Sequence, residues 1–371
     1  MPSQTEIDRR HRNLRNAMAS EAIDCLLVCG SYCSGFEGAI RYVSGFELVY
    51  SYAYAVQPLE GEPTLLFPGG ARWIGDKGKT WFKDQVWVDA PGKWIRDRAQ
   101  SRGWKRVGVY GLDHIMPVCD YREIAAAGFE VVPFDLPFDM ARAVKSDEEL
   151  DSVYDSMSVI VEGFHKLVEA YQPGRTESEI LAPAVECFFA RGAGARMMNA
   201  LLSGTHGEAE ARFKAPGSRV VHSDDLLLYT LEITGEDGYW VEFSRPLIQG
   251  RLGRHASTVA KIYPEALDAA RRLMRDGERA SAVHRAASEI FARHGFSLGH
   301  LSGHSIGMSI IEHPSIGSAV DIELRENMVL SFHPHVVDPQ GQACLFTQDT
   351  YRVGKTEGEC LAEVPWEVYG R

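Results

Sequence analysis

The chain has 371 residues, of which 45% are hydrophobic and 24% are charged, as in a soluble globular protein. This length exceeds that of a usual single core and predicts two domains. The 51 acidic and 39 basic side chains give a formal net charge of -12, which disfavours nucleic acid and anionic membranes as partners. Because there is no apolar stretch of roughly 18 residues and no signal peptide, we expect a cytoplasmic protein that acts on a small molecule.

The first 140 residues alternate between helical and strand-like segments. An amphipathic helix carries Ile7, Leu14 and Met18, and an apolar strand follows at 25–28. Further strands are predicted at 64–67, 86–88, 107–110 and 131–134. This alternation predicts a small α/β domain over residues 1–140.

Residues 141–371 are predicted to form a second domain of helices and strands. Ser146 with Glu149, and Thr176 with Glu179, match the capping box that begins a helix. Two strands on either side of a turn at 235–238 predict a hairpin. The remaining predicted elements are helices at 264–275 and 281–294, a strand at 328–332 and a final hairpin at 344–353.

Histidines concentrate near the carboxyl end of the chain. His300, His304, His313, His333 and His335 fall within 36 residues. Imidazole titrates near neutral pH and is a common metal ligand, so this cluster predicts a catalytic or metal-binding site. His313 and His335 stand beside prolines at predicted turns, and for these two a solvated loop is an equal alternative.

The segment 303–307 matches the G-x-S-x-G nucleophile elbow of α/β-hydrolases. A nucleophile elbow follows a buried strand, whereas residues 298–302 are short and interrupted by glycine. Only 64 residues follow the motif, too few for the acid, the histidine and the rest of the sheet. We therefore do not expect Ser305 to be a nucleophile.

Six segments occur in the order and spacing of one superfamily: 143–150, 173–177, 238–245, 303–307, 327–334 and 348–350. The chain resembles the pita-bread superfamily (peptidase family M24), in the branch of creatinase, Xaa-Pro aminopeptidase and prolidase. The resemblance implies a creatinase-type α/β domain over residues 1–140 and an α+β pita-bread catalytic domain over residues 141–371. It also implies a homodimer, as in the creatinase branch.

In the peptidases of this superfamily, two Asp, one His and two Glu hold two metal ions. Those five positions fall here on Leu231, Glu242, His304, His333 and Gln348. Leu231 binds no metal, and its neighbour Glu232 is expected on the opposite face of the strand unless a bulge shifts the register. The resemblance therefore implies a degenerate metal site.

Two further residues are candidates for substrate binding. A substrate-contacting histidine of the family matches His300. Arg245 is able to pair with a carboxylate of the substrate, and a structural ion pair is the alternative role of this residue.

These replacements leave three interpretations open. In the first, a non-peptidase hydrolase without cofactor cleaves a C–N bond of a small polar substrate, as creatinase does. His304 or His333 then moves the proton, Glu242 orients the imidazole, and Gln348 binds the substrate. In the second, a single divalent metal is bound by Glu242, His304 and His333. In the third, the chain is a catalytically inactive binding protein.

Overall fold

The computed structural model describes residues 1–33, 35–71, 73, 80–209 and 212–370. The chain forms two compact units. The first comprises Met1–Ala143 and Met308–Ile310, and the second comprises Val144–Gly307 and Ile311–Arg371. Among the helices of the described ranges, we find none that is both long enough and apolar enough to cross a membrane.

The first unit is built on one six-stranded mixed sheet. Its elements are α1 (Gln4–Ser20), β1 (Cys25–Ser31), α2 (Gly38–Ser44), β2 (Tyr52–Pro58), β3 (Thr64–Pro68), β4 (Asp84–Val88), α3 (Pro91–Arg102), β5 (Arg106–Tyr110), α4 (Val118–Ala125), β6 (Glu130–Pro133) and α5 (Asp135–Arg142). The strand order is β4-β3-β2-β1-β5-β6. Leu27, Tyr54 and Val107 are among the fully buried residues of its core. The predicted α/β domain is confirmed, and β2 is a central strand that the sequence prediction left out.

The second unit contains the remaining helices and strands. They are α6 (Asp147–Ala170), α7 (Glu177–Ala190), β7 (Met197–Gly204), β8 (Leu226–Thr234), β9 (Trp240–Phe243), β10 (Pro246–Leu247), α8 (Arg254–Arg271), α9 (Ala280–Arg293), β11 (Ser297–Leu298), β12 (Gly303–Ser305), β13 (Glu312–Ile316), β14 (Val329–Phe332), β15 (Val336–Val337), β16 (Ala343–Leu345), β17 (Asp349–Arg352) and β18 (Glu359–Cys360). Both predicted capping boxes are present, at the first residues of α6 and α7.

The described residues of the second unit form three sheets. β8 pairs with β7, β9 and β10, while β13-β12-β14-β17-β18 form a five-stranded sheet and β11-β15-β16 a small third one. An isolated bridge between Ser244 and Gln348 connects the end of β9 to the start of β17. This bridge brings the β8–β9 hairpin and the five-stranded sheet together at one place.

Two predicted elements of the second unit are wrong. The segment 344–353 is not a hairpin, because β16 and β17 belong to different sheets. Helix α8 begins at Arg254 rather than near Pro264, which lies inside the helix. The ten residues before this proline already bury one face, with Ala256 and Val259 fully covered, and that packing overrides the boundary signal of the proline.

Candidate metal centre in the second unit

The β8–β9 hairpin places two carboxylates side by side. Glu232 pairs directly with Glu242, and Leu231 pairs with Phe243. Residues paired across an antiparallel ladder point to the same face, so Glu232 and Glu242 share one face and the fully buried Leu231 lies on the other. The expectation that Glu232 needs a bulge to reach this face is wrong, because a regular register brings it there.

A row of three paired residues crosses the five-stranded sheet beside these carboxylates. His304 on β12 pairs with Ser331 on β14, which pairs with Thr350 on β17. The Ser331 hydroxyl donates to Glu242 Oε2, and Thr350 Oγ1 accepts from the backbone N–H of Glu242 at 3.0 Å. A Cβ on Gly303 would lie 2.1 Å from the Ser331 carbonyl oxygen, so only glycine lets β12 approach β14 this closely. Strands β14 and β17 thereby hold Glu242 in place. The sequence analysis did not identify Ser331 or Thr350 as residues of the site.

Glu242, His304 and His333 bring one ligand atom each to a common point. The three atoms lie within 4.8 Å of one another. His304 Nε2 lies 3.6 Å from Glu242 Oε1, and its Nδ1 lies 3.1 Å from the Ser305 carbonyl oxygen. A carbonyl only accepts, so Nδ1 carries the proton and the lone pair of Nε2 faces the carboxylate.

His333 follows the last residue of β14, and its ring lies 5.1 Å from that of His304. Its buried Nδ1 has no hydrogen-bond partner among the described residues. A buried nitrogen without a partner is costly, and a ligand of the site would satisfy it.

Gln348 lies next to the two carboxylates of the site and is 3% exposed. Its Nε2 donates to Glu232 Oε1 at 2.9 Å and to Glu242 Oε2 at 3.0 Å. Its Oε1 has no hydrogen-bond partner within the ranges that the structure describes.

Burial shifts the acid–base properties of all four ionisable groups. Burial and the neighbouring Glu242 raise the pKa of Glu232 to about 8, and burial raises the pKa of Glu242 to about 7. Burial lowers the pKa of His304, and burial together with the neighbouring imidazoles lowers the pKa of His333 well below its ordinary value. At neutral pH the imidazoles are therefore neutral, which is the form that binds a metal.

The donor set fits one divalent cation. Two neutral imidazoles and one carboxylate are the ligands of many mononuclear zinc and iron sites. The unpartnered His333 nitrogen and the fixed His304 tautomer agree with this arrangement. Glu232 lies beside the ligands and would add a second negative charge once a cation displaces its proton.

The other predicted site residues lie around this centre or behind it. The ring of the exposed His300 lies 5.7 Å from that of His333 and 5.2 Å from that of His335. His335 is 8% exposed, so the alternative of a solvated loop is wrong for this residue, whereas His313 is exposed. Ser305 is buried and its hydroxyl donates to the Val329 carbonyl oxygen.

Arg245 is also buried, and it forms a two-pronged pair with Asp349. Its Nη2 donates to Asp349 Oδ1 at 2.8 Å and its Nη1 donates to Asp349 Oδ2 at 3.0 Å. Further donors of the guanidinium bond backbone carbonyls, including that of Val364. These contacts are those of a structural ion pair, and a substrate carboxylate pairing with Arg245 stays a prediction.

The two units and the cluster of donors define a protein of the pita-bread fold with a creatinase-type amino-terminal domain. Residues 152–355, more than half of the chain, match the model of metallopeptidase family M24. Residues 10–144 match the creatinase/prolidase N-terminal domain. The chain therefore belongs to metallopeptidase family M24, and the fold expected from the resemblance is confirmed.

Relatives in sequence are described as dipeptidases. The chain is 27% identical over 231 residues to a probable dipeptidase PepE of Mycobacterium bovis, a match that covers 61% of this chain and 59% of that protein's length. It is 22% identical over 229 residues to an Xaa-Pro dipeptidase of Pyrococcus furiosus, a match that covers 59% of this chain and 65% of that protein.

Solved structures share the fold over the whole chain. The prolidase of Thermococcus sibiricus superposes with a TM-score of 0.85 at 18% identity and covers 99% of both chains. Dipeptidase PepE of Mycobacterium ulcerans superposes with a TM-score of 0.81 at 22% identity and covers 98% of both chains.

These comparisons correct the functional interpretation of the sequence. A non-peptidase enzyme without a metal was expected because the resemblance placed other residues at ligand positions of the family. The relatives are dipeptidases and Xaa-Pro dipeptidases, and the family is one of metallopeptidases. The folded chain gathers Glu242, His304 and His333, the three residues of the single-cation alternative.

Proposed function

We propose that this protein is a metal-dependent hydrolase that cleaves the peptide bond of dipeptides, with one divalent cation bound by Glu242, His304 and His333. The observation that carries the proposal is the convergence of these three ligand atoms within 4.8 Å. Membership of a metallopeptidase family and similarity to dipeptidases support the reaction class.

A divalent cation in such a site acts as a Lewis acid that activates water and polarises the scissile carbonyl. The chain positions the ligands for this chemistry. Ser331 and Thr350 orient Glu242, and the Ser305 carbonyl oxygen keeps the proton of His304 on Nδ1. Once a cation displaces their protons, Glu232 and Glu242 would together supply two negative charges, equal to the charge of one divalent cation.

The first experiment measures hydrolysis of Xaa-Pro and other dipeptides after loading with Mn²⁺, Co²⁺ or Zn²⁺. We expect cleavage with at least one metal, loss after chelation and recovery when the metal is restored. Glu242→Gln and His304→Ala should each lower kcat/KM by about 1,000-fold, or ~4 kcal/mol in the barrier.

Glu363→Gln is the matched control, because it makes the same chemical change at an exposed position of the second unit. It should keep full activity and bind the same amount of metal. Cleavage that survives complete metal removal, or a purified protein that binds none of the three metals, contradicts the proposal. The homodimer stays a prediction, which sedimentation of the metal-loaded protein tests.

A further inference from the structure

The amide of Gln348 lies between two carboxylates that face each other across a strand pair. Its Nε2 lies 2.9 Å from Glu232 Oε1 and 3.0 Å from Glu242 Oε2. An amide nitrogen carries two N–H groups, so one donor serves each carboxylate. Because Gln348 is 3% exposed, bulk water does not compete for these bonds.

The charges of the centre balance with one cation. When a bound cation displaces their protons, Glu232 and Glu242 carry two negative charges, and the imidazoles of His304 and His333 and the amide of Gln348 are neutral. One divalent cation brings the sum to zero. A second one would leave two positive charges in a buried site, which is strongly unfavourable.

We propose that Gln348 limits this centre to one divalent cation, because its amide nitrogen occupies the space between Glu232 and Glu242 that a second cation bound by both carboxylates would need. This inference rests on the one-cation function proposed above. The amide acts as a neutral bridge: it holds both carboxylates in place and supplies no ligand charge.

A carboxylate at position 348 would no longer hold Glu232 and Glu242 by hydrogen bonds, and it would supply a ligand charge. Gln348→Glu removes the two N–H donors and adds a third negative charge beside Glu232 and Glu242. Three carboxylates offset all but one of the four charges of two divalent cations, and a hydroxide offsets the last. Gln348→Glu is therefore expected to raise the number of bound cations from one to two per chain.

The experiment counts Mn²⁺ ions per chain in the full-length protein. Metal analysis after dialysis gives the total, and electron paramagnetic resonance distinguishes an isolated Mn²⁺ from a coupled pair. We expect one isolated ion in the wild-type protein and a coupled pair in Gln348→Glu. Gln172→Glu, which adds the same charge at an exposed position of the second unit, should bind one.

A swapped variant separates charge from position. Glu232→Gln combined with Gln348→Glu keeps two carboxylates and one amide, so it should bind one cation as the wild type does. Two cations in this variant would overturn the charge argument.

Each remaining outcome separates the inference from the proposed function. One cation in folded Gln348→Glu overturns the role of Gln348 and leaves the one-cation function intact. No cation in the wild type removes the proposed function. Two cations in the wild type overturn the limit. If Gln348→Glu folds only with Mn²⁺ present, two ions per folded chain support the inference and one ion overturns it. If it stays unfolded with Mn²⁺, the inference is rejected, because a second cation should offset the added charge.

Discussion

Gln348 and Asp349 are neighbours in the chain, yet they belong to buried charge groups that are compensated in different ways. Asp349 faces the guanidinium of Arg245 through two hydrogen bonds, so this carboxylate has a permanent cation. Glu232 and Glu242 instead accept hydrogen bonds from the neutral amide of Gln348, and Glu242 also accepts one from the Ser331 hydroxyl. The first group is complete within the chain, whereas the second lacks a positive charge that a metal ion would supply.

The largest expected effect concerns the buried ion pair of Arg245 and Asp349. Asp349→Asn leaves Arg245 buried without its counter-charge and should lower the free energy of unfolding by about 3–5 kcal/mol. Urea denaturation of the metal-free protein measures this change. Asp321→Asn is the control, because Asp321 pairs with Arg279 while 83% of its side chain is exposed. It should cost under about 1 kcal/mol. Equal losses in the two variants would contradict the distinction.

The second expected effect concerns how the stability conferred by Glu232 and Glu242 depends on pH. The pKa of Glu242 is raised to about 7 and that of Glu232 to about 8, so in metal-free protein each keeps a proton that the unfolded chain releases above its ordinary pKa. The two protonated carboxyls therefore contribute fully to the free energy of unfolding at low pH, and this contribution is lost as the pH rises through 7 and 8. The metal-free protein should lose on the order of 2 kcal/mol across this interval, and a bound cation should cancel the loss.

Thermal unfolding with and without Mn²⁺ across this interval measures that pH dependence. The gain in melting temperature from Mn²⁺ should grow as pH rises, since the metal binds ionised carboxylates. Glu232→Gln should flatten the curve of the metal-free protein, and Glu363→Gln should leave it unchanged. A metal-free stability that rises between pH 7 and 8 would refute the assignment.

The smallest expected effect concerns the hydroxyl that holds Glu242. Ser331→Ala removes the donor to Glu242 Oε2 and should weaken Mn²⁺ binding by about 10-fold. Calorimetric titration gives this affinity. Ser158→Ala serves as the control, since that exposed hydroxyl donates only to the Asp155 carbonyl oxygen of its own helix. An unchanged affinity in Ser331→Ala would mean that the other contacts of Glu242 suffice.

Much of the fold could be predicted from local patterns. The capping boxes at Ser146 and Thr176 locate α6 and α7, because the side chains that satisfy a helix start are close in sequence. The β16–β17 hairpin was wrong, since two strands close in sequence joined different sheets. Local pattern indicates a strand but does not specify its partner.

Some residues of the candidate site could likewise be identified from the sequence, and others only from the tertiary structure. The sequence alone placed Glu242, His304, His333 and Gln348 as candidates, through their position in family motifs. Only the tertiary structure showed that Glu232 shares the face of Glu242, that Ser331 binds the Glu242 carboxylate and that Thr350 binds the Glu242 backbone. Side-chain type and local periodicity are written in the chain, whereas strand register and the charge balance of a buried site depend on residues a hundred positions apart that meet only after folding.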